Sequence, residues 1–213
     1  MSSSLSTELR EFVDGMDGQD VEMGRLVDTI GDRGFGLLLL ILALPAALPL
    51  PAPGYATPFG FIILILGSQM LRGRPTPWLP DRVRARKVNW KLLDFSVRNG
   101  RIPFAIVEFF VRPRLSGLAR NRAFLAMVSL TIMLMATSMC VPMPLTNTAP
   151  SFVIFVLAAG MLEEDGLLLA AGMLLAPVAA AIAGYALYVG ITLGPEAVET
   201  TVKPAIKGLL GLS

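Results

Sequence analysis

Three long stretches of the chain contain no charged residue, and they constrain the fold more than any other feature. They run from Gly34 to Leu71, from Ala123 to Leu162 and from Gly166 to Pro195, and they are 38, 40 and 30 residues long. A helix needs about 20 apolar residues to cross the hydrocarbon core of a bilayer. Only 16% of the residues are charged, against roughly 25% in soluble domains. The sequence therefore predicts an all-α integral membrane protein with the lipid bilayer as its solvent.

The residue types exclude several kinds of chemistry. The chain has no histidine and a single cysteine, Cys140. These counts exclude a disulfide within the chain, histidine-based catalysis and the usual zinc sites. No acid or base interrupts the three uncharged stretches, so an acid–base pair inside them is missing. We expect neither an enzyme nor a bound cofactor or metal.

Charge is strongly segregated along the chain. Residues 72–122 carry thirteen bases and three acids, whereas residues 1–33 carry eight acids and three bases. Basic connectors stay on the cytoplasmic side, so residues 72–122 are predicted to be a cytoplasmic connector with surface helices. Residues 1–33 are predicted to form amphipathic helices at that interface or against the connector. Nucleic acid could also bind a basic cluster, but a role in topology or contact with anionic lipid is favoured, so no nucleic-acid partner is expected.

The first uncharged stretch, residues 34–71, is predicted to be a broken hairpin. As one helix it would reach about 57 Å, nearly twice the roughly 30 Å hydrocarbon core. We predict a helix from about 34 to 48, an unwound segment over residues 49–57 and a second helix from about 58 to 71. Arms of about 21–22 Å suit a re-entrant hairpin with its tip inside the membrane. The residues that break the helix are Pro49, Pro51, Gly54 and Pro58.

The second uncharged stretch, residues 123–162, repeats this pattern. The sequence Pro49-Leu50-Pro51 is matched by Pro142-Met143-Pro144, and Met70-Leu71 is matched by Met161-Leu162. Pro150 takes the place of Pro58, and a single gap aligns the two copies. The chain is therefore predicted to contain a duplicated broken hairpin. The two copies could be parallel, both entering from the cytoplasm, or inverted.

The third uncharged stretch, residues 166–195, is predicted to form one transmembrane helix, preceded by an acidic turn at residues 163–165. Small residues stand at every fourth position, at Ala176, Ala180 and Gly184. Such a stripe allows close packing, either against the hairpins or against a second subunit. We expect a homodimer, and a short tail over residues 196–213.

Four short motifs resemble the ExoD family of bacterial membrane proteins. They are Gly31-Asp32-Arg33-Gly34-Phe35-Gly36, Leu48-Pro49-Leu50-Pro51, Thr57-Pro58-Phe59-Gly60 and Pro77-Trp78-Leu79-Pro80. The resemblance covers nearly the whole chain, from about Leu5 to about Thr192. It implies a multi-pass protein of the bacterial inner membrane that is associated with exopolysaccharide production and its protein machinery. It implies no catalytic residue.

The breaks of the two hairpins form the candidate binding site. Thr57 is expected to cap the helix that begins at Pro58, and Thr148 or Asn147 is expected to do the same before Pro150. If the tips meet, two helix N-termini face one small volume, which favours an anionic or polar solute. At the membrane entrance, Asp32 and Arg33 are expected to form an ion pair. The candidate solute-binding residues are Tyr55, Thr57, Ser138, Thr146, Asn147 and Thr148.

These features support two classes of function. The first is a small transporter or channel-like protein for an ion or small polar solute, because unwound membrane helices are retained where they line a cavity. The alternative is a non-catalytic accessory protein that scaffolds polysaccharide synthesis or organises lipid. A transporter needs a wet path to the hairpin tips, and a scaffold does not.

Overall fold

The computed structural model describes residues 21–22, 24–25, 28, 31–47, 56–85, 87–88, 115–141, 147–194, 196–198, 200–202 and 204. Within these ranges seven helices have defined bounds, and they confirm the helical fold class. The helices are α1 (Gly34–Ala47), α2 (Thr57–Leu71), α3 (Asp81–Arg84), α4 (Ser116–Ala119), α5 (Arg122–Met139), α6 (Thr148–Leu162) and α7 (Gly166–Leu193).

The helix bounds coincide closely with the predicted arms and span. The first arm was expected over residues 34–48 and α1 covers Gly34–Ala47, while the second was expected over residues 58–71 and α2 covers Thr57–Leu71. Helix α7 is continuous through Pro177. The breaking residues Pro49, Pro51, Gly54, Pro142 and Pro144 lie outside the described residues.

Side-chain caps fix the starts of the two longest helices. The Oδ1 atom of Asn121 accepts hydrogen bonds from the backbone amides of Ala123 and Phe124, at 2.9 and 3.2 Å, and α5 begins there. Buried Asp165, the last residue of the acidic turn, caps α7 in the same way. Two of the four orphan amides at each helix start are thereby satisfied.

The four hairpin helices form a ring in which the two hairpins exchange partners. Helix α1 packs chiefly against α6, and α2 packs chiefly against α5. Both pairs are antiparallel: Gly36 near the start of α1 lies against Leu162 at the end of α6, and Gly60 near the start of α2 lies against Met139 at the end of α5. Helix α7 covers α6 and touches α5.

The outward faces of these helices are apolar, as expected for helices that are surrounded by lipid. Large apolar side chains are more than half exposed on α2, α5, α6 and α7, for example Ile65, Leu134, Phe152 and Leu174. Large exposed apolar areas are rare on soluble monomers. Two helices, α5 and α7, are long and apolar enough to cross a bilayer. These observations indicate a membrane protein.

The acidic N-terminal segment contacts the basic connector where both are described. Asp28 forms an ion pair with Arg84. A two-residue strand, β1 (Val21–Glu22), pairs antiparallel with β2 (Lys87–Val88). The charge complementarity between the two segments indicated such a contact, but not the strands. Most of the amphipathic helices predicted over residues 1–33 lie outside the described residues.

Candidate functional site

The structure describes four of the six predicted site residues, and all four lie at helix ends within the two hairpins. Thr57 begins α2, Ser138 lies in the last turn of α5, and Asn147 and Thr148 stand at the start of α6. Tyr55 and Thr146 lie outside the described residues. The described members belong to the end of the bundle where each hairpin turns back.

The expectation that Thr57 caps α2 is wrong. The N-cap residue is Ala56, whose backbone is helical, so Thr57 already lies within the first turn and makes no side-chain cap. Its Oγ1 atom is buried and has no hydrogen-bond partner among the described residues. A buried hydroxyl without a partner costs about 1–3 kcal/mol, and such groups need an explanation.

At the start of α6 the expected position is right, but the expected bond is absent. Asn147 is the N-cap residue and is buried, yet its side chain makes no cap hydrogen bond. Its φ of −101° and ψ of −39° are helical, whereas a capping residue has extended backbone that directs its side chain towards the next amides. Thr148 is the first helical residue, and Pro150 is buried in the same turn.

Met139 brings the two hairpin ends together. A Cβ placed on Gly60 of α2 would lie 3.1 Å from the Met139 Cβ, so only a glycine allows this approach without displacement. The Met139 sulfur is also 3.5 Å from the Oγ of Ser151 in the first turn of α6. The N-terminal turns of α2 and α6 therefore both contact one side chain at the end of α5.

Three other polar groups near these ends are satisfied within their own helices. The Ser138 hydroxyl donates to the Met135 carbonyl, and the Ser151 hydroxyl donates to the Asn147 carbonyl. The Cys140 thiol donates to the Ala136 carbonyl. Among the described candidate residues, Thr57 is the one whose hydroxyl is buried and has no partner. No group of three or more His, Cys, Asp or Glu residues is placed to hold a metal in the described parts of the chain.

The small-residue stripe of α7 divides between two environments. Ala176 is buried in the core and Ala180 packs against it, but Gly184 is exposed and a Cβ there would meet nothing within 4 Å. Close approach within the chain occurs at Gly172, where a Cβ would lie 2.6 Å from Leu157. The sequence stripe thus identified the helix, but its close approach to α6 is at Gly172, one turn before Ala176.

A cavity of about 650 Å³ opens at the other end of the bundle, and the sequence did not indicate it. The start of α1, the end of α2, the start of α5 and the end of α6 all border it. Five arginines line this space, which we name the arginine cavity: Arg33, Arg72, Arg74, Arg120 and Arg122. The individual arginines were visible in the sequence, but their convergence depends on how the hairpins pair.

One carboxylate, that of Glu164, lines the arginine cavity, and it is already paired. Arg120 donates two hydrogen bonds to Glu164 Oε2, at 3.0 and 2.7 Å. The Nη1 atom of Arg33 is buried and has no hydrogen-bond partner among the described residues. The side chain of Asp32, its expected partner, lies outside the described part of the chain. The arginine cavity therefore has an excess of positive charge within the described residues.

Gln69 and Trp78 fold the following chain back beside the arginine cavity. The Gln69 side chain is buried and makes two hydrogen bonds to the backbone of Trp78. Between them, Gly73 has a φ of +72°, which glycine adopts readily.

Comparison with known proteins identifies relatives over most of the chain. A family model described as "Exopolysaccharide synthesis, ExoD" matches residues 5–185. An uncharacterised protein of Synechocystis sp. is 35% identical over 171 residues, which cover 80% of this chain and 81% of the relative. The protein ExoD of Rhizobium meliloti is 31% identical over 191 residues, which cover 87% of this chain and 79% of the relative. No solved structure matches the chain.

The family match extends across both hairpins, both ends of the ring and most of α7. It therefore covers the residues of the hairpin tips and of the arginine cavity alike. The family match and the two apolar helices that are long enough to cross a bilayer, α5 and α7, both point to a membrane protein. The chain belongs to the ExoD family, which is linked to exopolysaccharide synthesis.

Proposed function

We propose that this protein is a small transporter or channel-like protein for an ion or small polar solute in the bacterial inner membrane, and that it serves exopolysaccharide synthesis. The observation that carries the proposal is the buried Thr57 hydroxyl, which has no hydrogen-bond partner among the described residues at the end where both hairpins turn back. A polar atom left without a partner in an apolar surrounding is retained where a ligand satisfies it.

We infer that the two hairpins are structural repeats. Helices α2 and α6 each have 15 residues, and Thr148, Met161 and Leu162 each lie 91 positions after Thr57, Met70 and Leu71. The buried positions of α2 fall on buried positions of α6 at the same offset: Gly60, Ile63, Leu66, Gly67 and Gln69 correspond to Ser151, Ile154, Leu157, Ala158 and Gly160.

The first arms support the same repeat at a slightly larger offset. Five of the seven described buried residues of α1 fall on buried residues of α5 at an offset of 93: Phe35, Gly36, Leu39, Ala43 and Ala46 correspond to Val128, Ser129, Ile132, Ala136 and Met139. The change from 93 to 91 places the sequence gap between the arms. At the offset of 91, Pro58 corresponds to Ala149 and not to Pro150, the position that the sequence comparison had matched to it.

Contacts between the hairpins follow the same correspondence. A Cβ added to Gly67 would lie 3.6 Å from the Ser129 carbonyl oxygen. In the proposed repeat Gly67 corresponds to Ala158 and Ser129 corresponds to Gly36, and these two residues are also in contact, because a Cβ added to Gly36 would lie 3.1 Å from the Ala158 carbonyl oxygen. The equivalence of these two contacts supports a pseudo-twofold axis through the ring. Because the open ends of both hairpins border one cavity, the parallel arrangement is favoured over the inverted one.

We propose that both hairpins are re-entrant from the cytoplasm. Helices α1, α2 and α6 have 14, 15 and 15 residues, so each is about 21–22 Å long and falls short of the roughly 30 Å hydrocarbon core. Helix α5, with 18 residues and a length of about 27 Å, is the one hairpin arm that approaches this thickness. Their open ends carry the arginines that favour the cytoplasmic side. The tips would then lie within the membrane, where α7 and the ring shelter them.

The chemistry of the tips favours binding over catalysis. The N-terminal turns of α2 and α6 meet at Met139, and free amides at helix starts favour anionic or polar solutes. No acid or base lies in the described turns around Thr57 and Ser151. We therefore propose a non-enzymatic role in which the solute is bound and passed on unchanged.

We also propose that the protein is a homodimer through the outward face of α7. Gly184 leaves open space on this face, and Leu174 and Ile191 are 78% and 71% exposed. A glycine among large apolar side chains permits close approach of a second helix.

Flux measurements with purified protein in liposomes test the transport proposal. Chloride, phosphate, potassium and proton fluxes should be screened, and at least one should exceed that of empty liposomes. Thr57→Val removes the unpartnered hydroxyl at nearly constant volume and should reduce that flux at least tenfold. Thr137→Val is the matched control, because the exposed Thr137 hydroxyl bonds to the Met133 carbonyl of its own helix. If no solute is moved, or if Thr57→Val leaves the flux unchanged, the accessory role becomes the better account.

A further inference from the structure

The arginine cavity carries positive charge that the described residues do not neutralise. Of its five arginines, Arg120 alone is ion-paired in the described parts of the chain, with Glu164. Arg72, Arg74 and Arg122 are exposed at the mouth, where their guanidinium groups can reach a ligand. Four guanidinium groups around one cavity attract an anion with more than one charge.

Arg33 distinguishes the arginine cavity from a solvated basic surface, because part of its guanidinium group is buried. Its Nη1 atom is buried, has no hydrogen-bond partner in the described part of the chain, and belongs to a residue that lines the arginine cavity. A buried charged donor without a partner is costly, since it has lost its hydration and gained nothing in return. An anion seated in the cavity would restore the missing hydrogen bond.

The remainder of the cavity wall is apolar. Phe35, Leu71, Leu125 and Met161 line it beside the arginines. The volume of about 650 Å³ exceeds the space that a single oxyanion fills, so a larger group attached to the oxyanion can be accommodated. A guanidinium fork matches phosphate oxygens with two parallel hydrogen bonds, and several forks can share the oxygens of one phosphate.

We propose that the arginine cavity is a binding site for a phosphate group, with Arg33 at its buried end and Arg72 and Arg122 at its mouth. The phosphate can belong to a lipid headgroup or be free in solution, because both present the same oxygens to the arginines. This site lies at the opposite end of the bundle from Thr57, and the proposal does not depend on transport.

Two parallel binding measurements test the proposal and distinguish the two sources. Full-length protein in a neutral detergent is titrated with inorganic phosphate against chloride at equal ionic strength, and thermal unfolding reports binding. In the second arm, native mass spectrometry compares phosphatidic acid with diacylglycerol, which lacks the phosphate. Stabilisation by inorganic phosphate supports a free ligand, and selective retention of phosphatidic acid supports a lipid headgroup.

Substitutions then locate the binding. Arg33→Gln should weaken the observed binding at least tenfold, the loss of about one charge-assisted hydrogen bond. Arg72→Gln should weaken it as well, and because Arg72 is exposed, this variant tests the site even if Arg33→Gln folds poorly. Arg82→Gln removes an equal charge from an exposed residue outside the cavity and should change binding less than about twofold. Absence of binding in both arms, or an equal loss in Arg82→Gln, would overturn the proposal.

Discussion

Gln69 uses its side-chain amide to bind both backbone groups of Trp78. Its Oε1 atom accepts a hydrogen bond from the Trp78 amide at 2.6 Å, and its Nε2 atom donates one to the Trp78 carbonyl at 3.1 Å. The side chain thereby imitates one rung of a β-ladder at the end of α2. The chain between these residues contains Arg72 and Arg74, so this pair of bonds positions one wall of the arginine cavity.

Gln69→Leu should therefore destabilise the protein and loosen the cavity wall. The substitution keeps the volume but leaves both backbone groups of Trp78 without these partners, which should cost about 1–3 kcal/mol. Thermal unfolding in detergent measures the loss. Ser68→Ala is the neighbouring control, because the Ser68 hydroxyl bonds only to the Ile65 carbonyl of its own helix. Equal stability of Gln69→Leu and the native protein would show that these bonds contribute nothing.

Two glycines of α7 should respond differently to the same change. At Gly172 even a Cβ would lie 2.6 Å from Leu157, so Gly172→Leu should force α6 and α7 apart and lower the unfolding temperature. Gly184 meets nothing within 4 Å inside the chain, so Gly184→Leu should leave the fold intact but weaken self-association. Thermal unfolding and light scattering in detergent separate the two effects. A Gly184→Leu variant that keeps its native mass would place this face towards lipid.

The proposed membrane topology predicts that the two ends of α7 lie on opposite sides of the bilayer. The start of α7 adjoins the arginine cavity, and its 28 residues span about 42 Å, enough to carry the chain to the other side. With Cys140→Ala as background, Ser116→Cys should react with an impermeant maleimide only from the cytoplasmic side, and Thr200→Cys only from the outside. Both native side chains are exposed. Labelling of Ser116→Cys in intact spheroplasts would contradict the orientation.

The sequence predicted the helices well, because their determinants are local. Long uncharged stretches and proline positions define α1, α2 and α7 almost to the residue. The sequence suggested the repeat that we propose for the same reason, since the proline and Met-Leu pairs recur at nearly constant spacing. Backbone conformation at the helix starts was less predictable. Thr57 and Asn147 are good capping residues, but the backbone at both helix starts is already helical, so neither side chain forms a cap hydrogen bond.

The pairing of helices and the arginine cavity could not be read from the sequence. Amphipathic periodicity shows which face of a helix is buried, but lipid-facing and core-facing residues are both apolar here, as Ile63 and Ile65 illustrate. The exchange of partners between hairpins depends on close contacts such as Gly36 with Ala158. Arg33 and Arg122 are far apart in the chain and converge only because of that exchange.

The removal of the Thr57 hydroxyl should be tolerated by the fold. Because Thr57 does not cap α2 and its Oγ1 atom has no partner among the residues that the structure describes, Thr57→Val should not incur the cost of about 0.5–2 kcal/mol that the loss of a cap brings. Its unfolding temperature should equal or exceed that of the native protein. A clear loss of stability would mean that the hydroxyl has a structural role.

The most direct test of the central claim is a double-mutant cycle of solute flux with Thr57→Val and Asn147→Leu in liposomes. Both residues stand at helix starts that meet at Met139, one from each hairpin. If they bind one solute, each single variant should reduce flux strongly and the double variant should reduce it by less than the product of the two effects. Native flux in the double variant, with the fold intact, would contradict a shared binding site at the hairpin tips.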